Sequence, residues 1–223
     1  METSKKSLLL AMLLLATPAH AQEASPASPA PPAAAPTAIQ GEYELDLGGL
    51  KVDANEGAEF DYKLATGETV KGKLTKRKQR TFAGEGVAFT FSGDFSIRVE
   101  KDKEGELTTI TMDHAKSPLA MVQIFPGEVK PEAVPKELLE GIKKEFKEKN
   151  AKAVREPAPA KRDFKRGPVD GFSMQYSVAG QTIEVEVYAW AAKGKTVAVT
   201  LQWASEEADL AREAFTPLVT TLE

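Results

Sequence analysis

The sequence predicts an α+β fold: an antiparallel β-sheet with one amphipathic helix before a C-terminal three-stranded meander and a terminal helix. Three observations carry this. Apolar residues alternate at period two through much of 41–125, the period of a half-buried strand. The period changes to three and four over 135–150, then returns to two after Gly171. Runs of strands broken by few helices specify α+β rather than a parallel α/β sheet.

Tyr43, Leu45 and Leu47 alternate with Glu42, Glu44 and Asp46, and Phe60, Tyr62 and Leu64 alternate with Glu59, Asp61 and Lys63. Ala65-Thr66-Gly67 turns the second strand into 68–76. The runs GVAFTF, DFSIRV, ELTTITM and PLAMVQIF continue the strands to Phe125, punctuated by Ser92-Gly93 and Glu104-Gly105. Pro135 then suits a first helical turn, and Leu138, Leu139, Ile142 and Phe146 form a narrow apolar stripe. The segment 155–171 is a Pro-rich basic connection. Ala179-Gly180 makes a two-residue hairpin that puts Phe172, Met174, Tyr176 and Val178 on the face of Ile183, Val185 and Val187. For the next hairpin a three-residue loop, Lys193-Gly194-Lys195, is expected, because it pairs Ala191 with Val197, Ala189 with Val199 and Val187 with Leu201. Ser205 is the expected N-cap of the terminal helix, whose buried stripe is Leu210, Ala214 and Leu218. Pro217 is expected to kink that helix or start a new one.

The ends and the composition bear on address. Lys5 and Lys6, the apolar run Leu8 to Ala16, and Ala19-His20-Ala21 form a secretory signal, 1–21, cleaved before Gln22. Residues 22–38 hold five Pro and seven Ala and read as a disordered, extended spacer. One α+β domain is expected over 39–223. With no cysteine among 223 residues, disulfides, thiolate metal sites, cysteine nucleophiles and a lipid-anchored N-terminus are excluded. The net charge of −4 dictates no partner. An exported chain, periplasmic or secreted, follows, with no membrane span in the mature part.

Residues 84–223 resemble the PsbP/Mog-like fold family. The resemblance rests on GEGVAFTFSGDFSIRVEKD, AMVQIF, a single amphipathic helix, GPVDGF, EVEVYAWAAKGKTVAVTLQW and the ending FTPLVTTLE. It implies a non-catalytic accessory or partner-binding protein, often at a membrane, with 41–83 as added strands. It transfers no functional residue.

The motifs with apparent chemistry have simpler readings. Gly67-Glu-Thr-Val-Lys-Gly72-Lys73-Leu74 lacks the hydroxyl residue that ligates Mg²⁺ in a P-loop, and its Val70 and Leu74 alternate as in a strand. Glu100, Asp102 and Glu104 before Gly105 echo a calcium loop, but Thr111 stands where a bidentate Glu is needed, so a solvated turn is expected. His114, the one histidine of the mature chain, has neither a G-x-S-x-G serine nor an S-x-x-K dyad to serve. No catalytic, cofactor or metal residue is therefore assigned.

Six basic residues fall in 71–80: Lys71, Lys73, Lys76, Arg77, Lys78 and Arg80. They are the candidate surface for a protein or an anionic envelope component; nucleic acid is not expected. Tyr188 and Trp190 share a face with Glu184 and Glu186. Covered by the terminal helix they are core; uncovered they are an aromatic contact patch, and they complete the candidate set. The expected function is an exported, non-enzymatic interaction module. The alternatives are a hydrolase assembled around His114 and scattered carboxylates, and a carrier of a small apolar ligand between sheet and helix.

Overall fold

The computed structural model describes residues 37–47, 50–54, 73–102, 107–127 and 129–223. The signal segment, most of the spacer, the strand expected at 60–64 and most of the P-loop-like string lie outside them. In chain order the strands are β1 (Ala38–Ile39), β2 (Tyr43–Leu47), β3 (Leu50–Ala54), β4 (Lys73–Lys76), β5 (Gln79–Gly84), β6 (Val87–Ser92), β7 (Phe95–Lys101), β8 (Thr108–His114) and β9 (Leu119–Phe125). Helix α1 (Val134–Glu148) precedes β10 (Lys152–Phe164), β11 (Gly167–Val178), β12 (Gln181–Ala192) and β13 (Lys195–Ala204). A 3₁₀ turn (Ser205–Glu207) leads into helix α2 (Ala208–Thr221). The fold is α+β and its pairings are antiparallel.

Three two-residue hairpins set the registers. Glu85-Gly86, Ala179-Gly180 and Lys193-Gly194 each place both residues at positive φ, from 48° to 85°. That is the turn whose twist matches paired strands, and glycine takes its second position without steric cost. The 179–180 hairpin pairs Tyr176 with Ile183 and Met174 with Val185, as expected. The β12–β13 hairpin does not follow expectation. Ala192 pairs with Lys195, Trp190 with Val197 and Tyr188 with Val199. The three-residue loop was inferred from a single apolar face, but β13 is buried on both faces, so alternation carries no register information there.

Seven strands form the central sheet in the order β10-β11-β12-β13-β9-β8-β7. Residues 155–171 are not a connection but most of edge strand β10 and the start of β11. Pro157 and Pro159, two residues apart, are tolerated because an edge strand has an unpaired side on which both missing N–H groups can fall. Register shifts between Ala153 and Ala158 disrupt the ladder further. The C-terminal meander therefore has four strands.

The two faces of this sheet are covered differently. On one, α1 lies over β10–β12 with Leu138, Leu139, Ile142 and Phe146 buried, as its stripe predicts, and Phe146 stacks on Tyr176 at 4.4 Å. On the other, α2 and the β5–β6 hairpin cover Phe95, Ile110, Met112, Val122, Val199 and Leu201. Helix α2 starts after the 3₁₀ turn, and Ser205 does not cap it. The Ser205 hydroxyl donates instead to Glu184 Oε1 at 3.1 Å. Pro217 lies inside α2, which runs on to Thr221. Thr216 and Thr221 hydroxyls donate to the Arg212 and Pro217 carbonyls at 2.7 and 2.6 Å.

Two smaller sheets complete the described architecture: β1-β5-β6 and β3-β2-β4.

Candidate functional site

The basic run begins outside the described residues with Lys71, and Lys73 enters β4 opposite Asp46. Beyond it, Lys76 and Arg77 are paired with carboxylates. Lys76 Nζ lies 2.9 Å from Asp94 and 4.0 Å from Glu42. Arg77 bonds Glu44 at 3.1 Å and reaches Asp53. Lys78 is exposed. Arg80 is not a surface charge: it is 7% exposed, donates to the Gln40 carbonyl at 2.9 Å, and lies 5.1 Å from the Phe91 ring. Burial lowers its pKa. The hydrogen bond between Lys76 and Asp94 raises the lysine and lowers the carboxyl. Paired in this way, Lys76 and Arg77 tie the end of β4 to β2, β3 and the turn after β6.

Tyr188 and Trp190 are core, with 1% and 6% exposure. The end of edge strand β10 contributes to their cover. Phe164 meets Tyr188 at 5.4 Å and Trp190 at 4.9 Å, and Arg166 lies 5.7 Å over the indole. The Tyr188 hydroxyl donates to Glu186 at 2.9 Å, and Arg162 bonds the same oxygen at 2.6 Å. Burial, with the nearby Glu186 carboxylate, raises the phenol. Neither aromatic ring presents a contact surface.

A cleft of about 590 Å³ opens where the sheet's β8–β9 turn meets the 3₁₀ turn. His114, Lys116, Ser117, Asp94, Glu206 and Glu207 are among its lining residues. His114 ends β8, with its ring edge-on to Phe95 at 5.5 Å and Nδ1 accepting from the Lys116 N–H at 3.0 Å. An Nδ1 so engaged as acceptor leaves Nε2 as the proton-bearing nitrogen of the neutral ring. Ser117 is spent on structure. Its hydroxyl donates to Glu207 Oε2 at 2.5 Å and accepts from Ala204 N–H at 3.0 Å, while its N–H donates to the same carboxylate at 3.0 Å. These bonds hold the Glu207 carboxyl below its ordinary value. The Ser96 hydroxyl donates to the Asp113 carbonyl at 3.1 Å. Sequence reasoning missed this latch because Ser117 and Glu207 are 90 residues apart with no motif between them.

Glu100 and Lys101 of the calcium-like string end β7, and the Asp102 N–H donates to the Leu107 carbonyl at 3.0 Å; the rest of the string, with Glu104 and Gly105, lies outside the described residues. Among the described residues, no group of three His, Asp or Glu side chains could hold a metal ion. Among the same residues, no helix is long and apolar enough to cross a membrane.

No protein-family model and no curated protein matches the chain. Solved structures similar to it include the following two. The solution structure of cyanobacterial PsbP (CyanoP) from Synechocystis sp. PCC 6803 is 10% identical, with a TM-score of 0.48, over 66% of this chain and 92% of that one. LpqN, involved in cell envelope biogenesis of Mycobacterium tuberculosis, is 13% identical, with a TM-score of 0.36, over 61% of this chain and 83% of that one.

Proposed function

We propose that this chain is an exported, non-enzymatic accessory module of the cell envelope that binds a protein partner through the cleft beside His114. The observation that carries the reading is the commitment of the cleft's chemical groups. His114 Nδ1 is occupied by a backbone N–H, and the Ser96 and Ser117 hydroxyls both donate elsewhere. A hydrolase needs a serine hydroxyl or a water facing a free imidazole nitrogen that can take its proton. What the cleft offers is mixed-sign charge: Lys116 and Glu206 beside the Glu207 carboxylate that Ser117 holds in place. Such a surface fits a protein carrying complementary charges of both signs better than a uniformly anionic surface. The pairing of Lys76 and Arg77 with carboxylates supports the same preference. Export rests on the signal segment before Gln22.

The test is capture from envelope extract by residues 22–223, with and without the double charge reversal Lys116→Glu, Glu206→Lys. A partner retained by the parent and lost by the reversed variant is the expected outcome. Equal retention by both, or a hydrolytic turnover abolished by His114→Ala, would overturn the reading.

A further inference from the structure

Arg80 is the one charged side chain that is buried among the described residues. Other partly covered arginines face carboxylates: Arg77 bonds Glu44 at 3.1 Å, Arg155 bonds Glu184 at 3.2 Å and Arg162 bonds Glu186 at 2.6 Å. Arg80 does not. Its Nε and Nη1 donate to the main-chain carbonyls of Gln40 and Phe95, at 2.9 and 3.3 Å. Among the described residues no carboxylate lies within ion-pair distance of it. Glu42 and Asp94 line the same cleft, but both turn to Lys76, at 4.0 and 2.9 Å, so neither neutralises Arg80 by contact. Carbonyl oxygens satisfy N–H groups without cancelling the charge, and a buried charge with no counter-ion needs an explanation.

The guanidinium is not sealed in. It lines the cleft beside His114, with one face fixed over the Phe91 ring at 5.1 Å. Its Nη2 makes no hydrogen bond among the described residues and is not among the unpaired atoms shut off from solvent. Phe95, whose carbonyl takes Nη1, pairs with His114 and meets the imidazole at 5.5 Å. Arg80 and His114 therefore flank the same residue in the cleft wall, and Nε2 is the imidazole nitrogen left to donate.

A planar guanidinium with one face fixed and an N–H edge open matches the plane of a carboxylate. Glu42 and Asp94 repel a dianionic phosphate more strongly than a monoanion. An apolar ligand would leave the buried charge as it is. We infer that Arg80 anchors the cleft by pairing with a carboxylate that a protein partner inserts there, with His114 Nε2–H as a second donor. The inference rests on the reading of the cleft as the partner-binding surface and names the chemistry that enters it.

The test is an NMR titration of isotope-labelled residues 22–223 at fixed ionic strength. N-acetylglycine stands for a chain-terminal carboxylate, N-acetylglutamate α-amide for a side-chain carboxylate, and N-acetylglutamine amide is the neutral counterpart. The expected result is a saturable shift of the Arg80 Nε–H and His114 signals with at least one carboxylate, which identifies the source, and none with the neutral probe. Arg80→Met should bind that carboxylate roughly tenfold or more weakly, the share of a hydrogen bond to a charged group. If this variant does not fold, the Arg80 signal of the parent decides the matter alone. No shift at Arg80, binding undiminished in Arg80→Met, or tighter binding of inorganic phosphate than of either carboxylate would overturn the inference. Envelope capture separates it from the reading of the cleft. A partner lost on reversing Lys116 and Glu206 but retained by Arg80→Met removes the anchor and leaves the cleft standing.

Discussion

Glu145 titrates where few carboxylates do. Burial, with Glu148 nearby, pushes its pKa from 4.5 up to about 6 against the opposing pull of Lys149. The folded chain holds this proton more tightly than the unfolded chain, so between these values the native state binds more protons, and stability falls as pH rises through the window. Glu145→Gln removes the penalty. It should raise unfolding free energy at pH 7.5 by about 1 kcal/mol, the part left after solvent screening of a half-exposed group, and add nothing at pH 4. Denaturant titration at both pH values checks this; an equal gain at both would assign the effect to packing. Gly171 is a residue-scale constraint of another kind. A Cβ there would overlap the Val187 carbonyl oxygen and the edge of the Tyr188 ring. Gly171→Ala is expected to cost about 1–3 kcal/mol by overpacking, read as a shifted denaturation midpoint.

Among the elements, the Ser117 latch joins the β8–β9 turn to the junction of β13 with the 3₁₀ turn. Ser117→Ala strips the Glu207 carboxylate of its hydroxyl donor and the Ala204 N–H of its acceptor, and should cost about 1–3 kcal/mol. The same variant should also lose capture of the partner held at the cleft. Strands β6 to β8, helix α1 and the 179–180 hairpin were legible in the sequence because each has one wetter face and one dry face, or a turn with its own chemistry; β9, buried along its whole length, was legible as a short continuous apolar run. Strand β10 was not, because Pro157 and Pro159 resemble a linker until the chain around them places them on an edge. The 193–194 turn was misread because both faces of β13 are covered, leaving no alternation to fix register. Charge was the least legible property. The basic run was countable in the sequence, but its partners Glu44, Asp53 and Asp94 lie 33, 24 and 18 residues from the lysine or arginine they bind.

At the scale of the molecule, those ion pairs define a boundary. The seven-stranded sheet is held by two apolar clusters and a helix on each face. Among the described side chains, the β3-β2-β4 sheet is tied in through the buried Leu45, Lys76–Asp94 at 2.9 Å, the Arg77 N–H to the Glu42 carbonyl at 3.0 Å, and the Arg77 side chain bonded to Glu44 and Asp53. Charge pairs of this exposure each contribute at most about 1 kcal/mol and weaken with salt, whereas apolar burial does not. The chain should therefore open in two steps. Native-state hydrogen exchange at rising denaturant is expected to release the amides of β2 at lower free energy than those of β12 and β13. Arg77→Gln should hasten exchange in β2 while leaving β12 and β13 protected, and added salt should act in the same direction. Lys78→Gln, which changes an exposed charge on the same run, should do neither. If β2 amides exchange only together with those of β12 and β13, the small sheet belongs to the same cooperative unit, and the ion pairs are not its principal tie.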